Sequence, residues 1–380
     1  MDRRVDLRIG LALSALGFLL AGLGASIAVL ARDLDRPTDE LALLSSAFAV
    51  GLLIVAATGP ALLRSVAIGT VLRIGALLCA VGATLLALAQ GFLPAISGGL
   101  SVGIGGALLV LVAPLLLHGP AAAARLTRVN AVASATGIFA PLAIGGLDSL
   151  GPTGRLALLI AVPPLVLLAM MAGPGVGPTF QDDAERSPVT QVLRGWLRVV
   201  LAVGVEFCFV IWAVARLAAT GVPMATAALL GSGFPIGMAV GRAIGPLHWR
   251  NWSPLVPAGL LAAAGTLLVT VFDSPALVTA GLVLAGLGVA PIYPLTIAAL
   301  VATPGINPAR LTALGALASG TAILLAPSLL AGLAGWLEIR IAFLIPLPLL
   351  AVLWTISRPL SASPKRDLSA SISGHGDDRD

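Results

Sequence analysis

The sequence predicts an all-α membrane protein built from twelve transmembrane helices. The chain has 380 residues, of which 58% are hydrophobic and 10% carry charge, whereas a soluble domain carries roughly 25% charged residues. At about 20 residues per span, this apolar content would fill about a dozen helices. Apolar runs bounded by charge, proline or glycine divide the chain into the same number of segments.

The apolar runs form two series of six, separated by a long hydrophilic stretch. The first series covers 8–31, 40–61, 69–89, 93–117, 128–147 and 154–173, and the second covers 195–218, 223–245, 254–272, 276–301, 310–332 and 339–357. This pattern predicts a first six-helix bundle at 1–173, a cytoplasmic linker at 174–191 and a second six-helix bundle at 192–357. Residues 358–380 are polar and lack apolar runs, which predicts a disordered cytoplasmic tail.

Positive charge is distributed unequally between the two sides of these spans. Of the 22 lysines and arginines, 17 fall on the side of the N-terminus, the linker and the tail. The other five fall on the opposite side: Arg32, Arg36, Arg155, Arg216 and Arg340. By the positive-inside rule, both termini are predicted to be cytoplasmic in a bacterial inner membrane.

The rarer residues exclude several classes of chemistry. Lys365 is the only lysine, so the chain has no phosphate-binding loop of the Gly-Lys-Ser/Thr type. The three histidines and two cysteines lack metal-binding spacing, and a membrane-embedded transferase or hydrolase would need a cluster of catalytic side chains that the pattern lacks. We therefore expect no enzyme, no metal or other cofactor and no nucleic-acid partner. The expected partners are a small-molecule substrate, protons and membrane lipid, with the chain acting as a monomer.

Elements of the fifth span recur in the eleventh span in the same order. R-L-T stands at 125–127 and 310–312, A-S at 133–134 and 318–319, and A-P at 140–141 and 326–327. Spans four and ten share V-A-P at 112–114 and 289–291. Alanine-rich helices can share one such pair by chance, but an ordered set at this spacing indicates two parallel repeats. Parallel repeats are typical of transporters whose site lies between the halves.

Motifs in four spans point to a known family. They are Gly204-Val205-Glu206 with Trp212, Gly237-Met238 with Gly241-Arg242, Asn130 and Gly137 with Ala140-Pro141, and Gly286-Leu287-Gly288 with Pro291. In these motifs the chain resembles the major facilitator superfamily, over its whole length except the tail. The resemblance implies the major facilitator fold, two pseudo-symmetric six-helix bundles with a cavity lined by spans one, four, seven and ten. The family's antiporter motif is present in part at 140–146, whereas its loop motif between spans two and three has no aspartate here.

Glu206 is the one carboxylate that the spans place at mid-membrane depth, about 11 residues or ~16 Å into span seven. Such a group costs about 2.5–3.5 kcal/mol unless it is protonated, paired or next to water. Because no ATP site is predicted, uphill transport would have to draw on an ion gradient or on exchange. Glu206 is therefore the predicted proton-coupling residue. The alternative is a permanently neutral acid that donates a structural hydrogen bond.

The cavity-lining spans implied by the resemblance supply the other site candidates. The predicted substrate-binding residues are Phe18, Ser101, Phe209, Trp212, Tyr293 and Thr296, and for each aromatic a packing role is the alternative. The predicted gating or structural residues are Asn130, Pro141, Arg242, Pro291 and Pro327. Arg242 is a possible partner for Glu206, but it is expected near the cytoplasmic surface, at a different depth. The prolines around Tyr293 predict a kink in span ten. The cavity is expected to contain no lysine or arginine, which would disfavour anionic substrates.

These observations predict a proton-coupled secondary transporter of the inner membrane that works by alternating access. The predicted substrate is a small neutral or cationic amphipathic organic molecule, and export is favoured over uptake. The alternative is a proton symporter that takes up a sugar-like or other polar solute. A sensor that binds such a ligand without transporting it would share the same sequence features.

Overall fold

The computed structural model describes residues 2–35, 43–116, 122–173, 189–245, 253–306 and 308–357. Within these ranges, ten helical segments are long and apolar enough to cross a membrane, and two shorter apolar helices lie at Leu43–Gly59 and Leu255–Val271. Helices suit this environment because they satisfy their own backbone hydrogen bonds where no water is present. The twelve segments are numbered α1 to α12 in chain order.

The two halves of the chain contribute six helices each. The first six are α1 (Asp2–Asp33), α2 (Leu43–Ser65), α3 (Ile68–Leu88), α4 (Phe92–Leu116), α5 (Ala122–Ser149) and α6, a 3-10 segment (Gly154–Ala161) followed by an α-helix (Val162–Met171). The second six are α7 (Val189–Ala218), α8 (Met224–Gly231 and Gly233–Ile244), α9 (Leu255–Val271), α10 (Pro275–Val289 and Ile292–Val301), α11 (Pro308–Ala334) and α12 (Ile339–Ala342 and Pro346–Ser357). Helices α1 to α6 form the first bundle and α7 to α12 form the second.

The predicted linker lies partly, and the predicted tail wholly, outside the described residues. Helix α7 begins at Val189, so the last three residues of the predicted linker are helical, and residues 174–188 lie outside the description. The predicted tail, 358–380, also lies outside it.

Prolines interrupt three helices of the second bundle. Proline has no backbone N–H, so Pro235, Pro291 and Pro346 cannot bond to the carbonyl four residues earlier. Helix α10 is accordingly broken between Val289 and Ile292, where the sequence predicts a kink. The break in α8 at Ser232 was not predicted from the sequence; there the Ser232 hydroxyl donates to the carbonyl of Leu229 at 2.6 Å.

Glycines bring two pairs of helices into backbone contact, one pair in each bundle. A Cβ added to Gly82 on α3 would lie 2.7 Å from the carbonyl oxygen of Gly98 on α4. A Cβ added to Gly265 on α9 would lie 2.6 Å from the carbonyl oxygen of Gly281 on α10. Small residues allow helices to approach this closely in a membrane, and α3–α4 and α9–α10 are equivalent pairs in the two repeats.

Successive helices run in opposite directions, so the molecule has two faces. We call the face at which α1 begins and α12 ends the terminal face, and the opposite one the distal face. At the distal face of the first bundle, Arg32 at the end of α1 bonds to Asp148 at the end of α5, at 2.6 Å. Arg155 at the start of α6 lies 3.1 Å from Asp33.

The second bundle places arginines at the equivalent distal positions. Arg216 at the end of α7 lies 184 residues after Arg32, and Arg340 at the start of α12 lies 185 residues after Arg155. Both bond to Asp273, which follows α9, at 2.8 Å from Arg216 and 3.2 Å from Arg340. The pseudo-symmetry therefore extends to the charged ends of the helices, although the acids come from different helices in the two bundles.

Candidate substrate and proton site

Glu206 lies near the middle of α7, a helix of 30 residues. Its side chain is 15% exposed, and its Oε1 lies 3.7 Å from Nη2 of Arg242. The expectation that these residues lie at different depths is wrong. Arg242 stands in the last turn of α8, but its long flexible side chain extends from there to the level of the carboxylate.

The Arg242 guanidinium also contacts the first bundle. Its Nη1 donates a hydrogen bond to Oγ of Ser134 on α5. Because α8 belongs to the second bundle, this hydrogen bond crosses the interface between the bundles. An arginine therefore stands beside the acid between the two halves, and the prediction of a cavity without lysine or arginine is wrong.

Tyr293 adds a hydroxyl group to the same region, just after the break in α10. It is hydrogen bonded to Ser319 on α11, and it lies close enough to Glu206 and Arg242 for their charges to act on it. The Ser319 hydroxyl also bonds to the carbonyl of Gly315 at 3.0 Å. The tyrosine is thus held in place from within its own bundle.

We call Glu206, Arg242, Ser134, Tyr293 and Ser319 the central cluster. Ser134 and Ser319 are equivalent residues of the internal repeat, 185 positions apart. Each half therefore contributes the same serine, and the two serines hold different partners, a guanidinium and a phenol. Together the cluster offers one acid that can take up and release a proton, one permanent positive charge and three hydroxyl groups. In the described parts of the chain, no three His, Cys, Asp or Glu side chains are grouped so that they could hold a metal ion.

Two predicted aromatic residues of α7 pack inside the second bundle. Phe209 is fully buried; its ring stacks on Phe234 at 5.1 Å between centroids and contacts Phe343 at 5.7 Å. Trp212 is buried as well, and its indole N–H donates to the carbonyl of Pro327 at 3.3 Å. In this structure neither ring has a surface that a substrate could contact, so both stabilise the packing of the bundle.

Three further substrate-binding candidates also lie outside the central cluster. Thr296 is buried and donates to the carbonyl of Tyr293 at 3.0 Å, and Phe18 is buried on α1. Ser101 on α4 is half-buried and donates to the carbonyl of Ser97 at 2.7 Å, within its own helix. Of the six candidates, Tyr293 is the one that lies in the central cluster.

The gating and structural candidates occupy three kinds of position. Pro141 and Pro327 stand inside α5 and α11, at equivalent points of the repeat, and Pro291 stands at the break in α10. The backbone of Asn130 is part of α5, but its side chain lies outside the described residues. The fifth candidate, Arg242, belongs to the central cluster.

The comparison with known proteins rests on solved structures. No protein-family model and no curated protein sequence matches the chain. The nucleoside transporter NupG matches with a TM-score of 0.71 and 11% identity, over 93% of this chain and 100% of that one. The human organic anion transporter MFSD10 matches with a TM-score of 0.66 and 17% identity, over 93% and 97%. The E. coli fucose:proton symporter FucP, described as a Major Facilitator Superfamily transporter, matches with a TM-score of 0.59 and 19% identity, over 93% and 98%.

This chain has the major facilitator fold. The match covers nearly the whole of each protein, and the two six-helix halves agree with the internal repeat.

Besides the Ser134–Arg242 hydrogen bond, the bundles of this major facilitator fold meet at contacts toward the distal face. On α1, a Cβ added to Gly24 would meet the carbonyl oxygens of Val210 and Ile211 on α7. The hydroxyls of Ser46 on α2 and Ser328 on α11 lie 3.0 Å apart. The bundles are therefore closed against each other on the distal side, and Arg242 of the central cluster lies on the terminal side of these contacts.

Two members of the central cluster, Ser134 and Ser319, were not among the residues predicted from the sequence. The sequence does contain a signal for them, because both stand in the A-S pair that recurs between spans five and eleven. A repeated polar residue in two otherwise apolar helices of a major facilitator fold is placed symmetrically about the interface between the halves. We used the repeat to predict the architecture and did not consider its polar residues as candidates for the site.

Proposed function

We propose that the chain is a proton-coupled secondary transporter in which Glu206 takes up and releases the proton. The observation that carries the proposal is the pairing of Glu206 with Arg242 at the interface of the two bundles, at 3.7 Å. An ionisable residue inside a membrane domain is energetically costly, so such residues are rare and usually serve a function. In the proposed mechanism, alternating access would expose this one to each side in turn. The major facilitator fold of a fucose:proton symporter supports the same assignment.

The central cluster favours an uncharged substrate with hydrogen-bonding groups. A cationic substrate would meet the Arg242 guanidinium, which is 29% exposed, so the structure argues against the cationic part of the prediction from sequence. The hydroxyls of Ser134, Tyr293 and Ser319 can donate to or accept from a neutral polar molecule. The apolar helix surfaces around them suit the non-polar part of an amphipathic molecule.

We propose export in exchange for protons, because α5 carries part of the antiporter motif in the residues around Pro141. Uptake of a polar solute by proton symport is the second candidate. It is supported by the match to the fucose:proton symporter and by the hydroxyl-rich cluster.

Flux into proteoliposomes with an imposed pH gradient tests the proposal. The probes are uridine, L-fucose, the lipophilic cation tetraphenylphosphonium and the anion benzoate, which represent four substrate chemistries. For an exporter, the transported probe moves against the direction of the proton gradient, and for a symporter it accumulates along it. Binding of a probe raises the apparent thermal stability of the protein, so a melting screen selects the probe for the flux assay.

The substitution Glu206→Gln should abolish uphill transport and leave exchange of the same probe across the membrane intact. The amide keeps the shape of the side chain but cannot carry a proton through the cycle. The matched control is Glu338→Gln, the same substitution at an exposed acid of the distal face, which should transport like the wild type. Uphill flux at wild-type rates in Glu206→Gln would remove this acid from the mechanism.

A further inference from the structure

Arg242 has two partners at different distances, and the difference is informative. Its Nη1 is hydrogen bonded to Ser134, whereas its Nη2 lies 3.7 Å from Glu206, which is too long for a hydrogen bond. A charge-assisted bond between a guanidinium and a carboxylate closes to about 2.7–2.9 Å. The guanidinium is therefore roughly 1 Å farther from the carboxylate than in a hydrogen-bonded ion pair, and it is displaced toward Ser134.

The two partners belong to different moving bodies. Glu206 and Arg242 are both part of the second bundle, and the half of α8 that carries Arg242 is tightly packed on α10. A Cβ added to Gly241 would lie 2.7 Å from Cβ of Ala290 and 2.8 Å from the carbonyl oxygen of Leu287. Ser134 is part of the first bundle. A rocking motion of one bundle against the other changes the Ser134–Arg242 contact directly, whereas the distance between the helices of Glu206 and Arg242 changes little.

From this geometry we infer that Ser134 is a positioning residue that couples bundle movement to proton exchange at Glu206. In the present conformation its hydroxyl holds the Arg242 guanidinium away from the acid. When α5 moves away from α8, the guanidinium is released and closes onto the carboxylate, which stabilises the ionised acid and expels the proton. The inference rests on the proposed role of Glu206 as the proton carrier.

The surroundings of Glu206 allow this effect to be isolated. Among the described residues, the charged or titratable side chains that interact with it are Arg242 on α8 and Tyr293 on α10. Tyr293 is bonded to Ser319, which lies in the same bundle, so bundle movement leaves that contact unchanged. Ser319 thus provides a control at the equivalent repeat position, with the same side chain and a partner that does not move away.

The test measures how pH controls the separation of the bundles, without the need for a known substrate. Spin labels on cysteines at Ser149 and Ser274, both exposed at the distal face and in different bundles, report the distance between the bundles in liposomes. In the otherwise unaltered chain, the distance distribution should change with pH around one midpoint. In Ser134→Ala this pH response should be largely lost, because Arg242 then bonds to the acid in every conformation, and pH shifts the ratio of two conformations only where the pKa of the acid differs between them.

Two further substitutions separate the hydroxyl from the shape of the side chain. Ser134→Thr keeps the hydroxyl and should retain the pH response, whereas Ser134→Val has nearly the same shape without the hydroxyl and should behave like Ser134→Ala. Ser319→Ala should leave the pH response unchanged. This isosteric pair keeps the test valid if the alanine variant does not fold.

Three outcomes would overturn either the inference about Ser134 or the proposed function. An unchanged pH response in both Ser134→Ala and Ser134→Val would overturn the inference and leave the proposed function standing. Equal losses of the pH response in Ser134→Ala and Ser319→Ala would also overturn it, since the effect would not depend on the contact between the bundles. A labelled parent protein whose distances do not respond to pH, and which matches Glu206→Gln, would overturn the proposed function itself.

Discussion

Asp273 binds two arginines that differ greatly in burial. Arg216 is 1% exposed and also donates to the carbonyls of Val269 and Phe272, whereas Arg340 and Asp273 are both substantially exposed. A buried charge loses much of its hydration, so its partners are needed for stability. An exposed pair of this kind contributes little.

The substitution Arg216→Ala should therefore destabilise the protein by about 2–5 kcal/mol, because a buried space is left unfilled and the carbonyls of Val269 and Phe272 lose their donor. Arg340→Ala is the matched control and should cost about 1 kcal/mol or less. Thermal unfolding in detergent checks both variants side by side. Equal melting temperatures for Arg216→Ala and Arg340→Ala would show that the burial of Arg216 does not contribute to stability.

Individual site residues could be predicted from the sequence only when their chemistry was unusual for their position. Glu206 met that condition, because it is an acid in the middle of an apolar span. Arg242 was considered as its partner, but the two residues were expected at different depths, since span positions give the depth of a backbone and not the reach of a long side chain. Phe209 was assigned to the cavity because the resemblance implies that span seven lines it, but its packing against Phe234 and Phe343 depends on how three helices meet.

At the scale of the helices, the contact between α1 and α7 depends on Gly24. The substitution Gly24→Ala should push these helices apart at the distal side, because the new Cβ would meet backbone oxygens of Val210 and Ile211, which cannot rotate away. Overpacking of this kind costs about 1–3 kcal/mol, and here it penalises only the conformation in which the bundles touch. The population of the conformation open on the distal side, relative to the closed one, should rise roughly 5- to 150-fold, seen as a longer distance between labels at Ser149 and Ser274.

Two other glycines of α1 serve as controls for this prediction. Gly10 has no atom within 4 Å of an added Cβ, so Gly10→Ala should change nothing. Gly17 faces the backbone of Ala133 on α5, within the same bundle, so Gly17→Ala should lower thermal stability without lengthening the distance. If Gly24→Ala behaves like Gly17→Ala, the α1–α7 contact is part of the folded core and does not act as a gate.

Helix boundaries were predicted to within a few residues in most cases, because apolar runs and prolines are local features. The ends that differ most are the starts of α1, α5 and α7, which continue past the apolar run into charged or polar residues. There the helix extends beyond the hydrophobic stretch, as its backbone hydrogen bonds need no apolar side chains. The break in α10 was predicted from Pro291 and Pro294, whereas a single proline, Pro235, gave no comparable signal for α8.

For the whole molecule, the unequal distribution of arginine predicts which way the chain lies in the membrane. A single cysteine at Ser274, on the distal face, should react with a membrane-impermeant maleimide on intact bacterial cells. A single cysteine at Ser65, at the terminal end of α2, should react only after the cells are permeabilised. The native Cys79 and Cys208 are buried, so they should contribute little background labelling by the maleimide. The reverse pattern of labelling would contradict the cytoplasmic placement of both termini.

The architecture could be predicted from the sequence because it is repeated. Two occurrences of the same ordered residues, half a chain apart, specify two similar bundles without any knowledge of side-chain contacts. The distal arginines follow the same repeat, yet their acidic partners do not, since Asp148 lies on α5 and Asp273 follows α9. Pseudo-symmetry therefore predicted the positions of the helices better than the partners of their charged ends.

The depth of Glu206, near the middle of α7, has an electrical consequence. In the proposed mechanism, a proton that travels from either bath to this carboxylate would cross only part of the membrane voltage, and the rest would act on the charge as the bundles rearrange. A full elementary charge gains about 2.3 kcal/mol per 100 mV, so half of the field is worth about 1 kcal/mol. An energised membrane would thus load the acid from one bath and discharge it into the other, so that voltage as well as pH would drive the turnover of this protein.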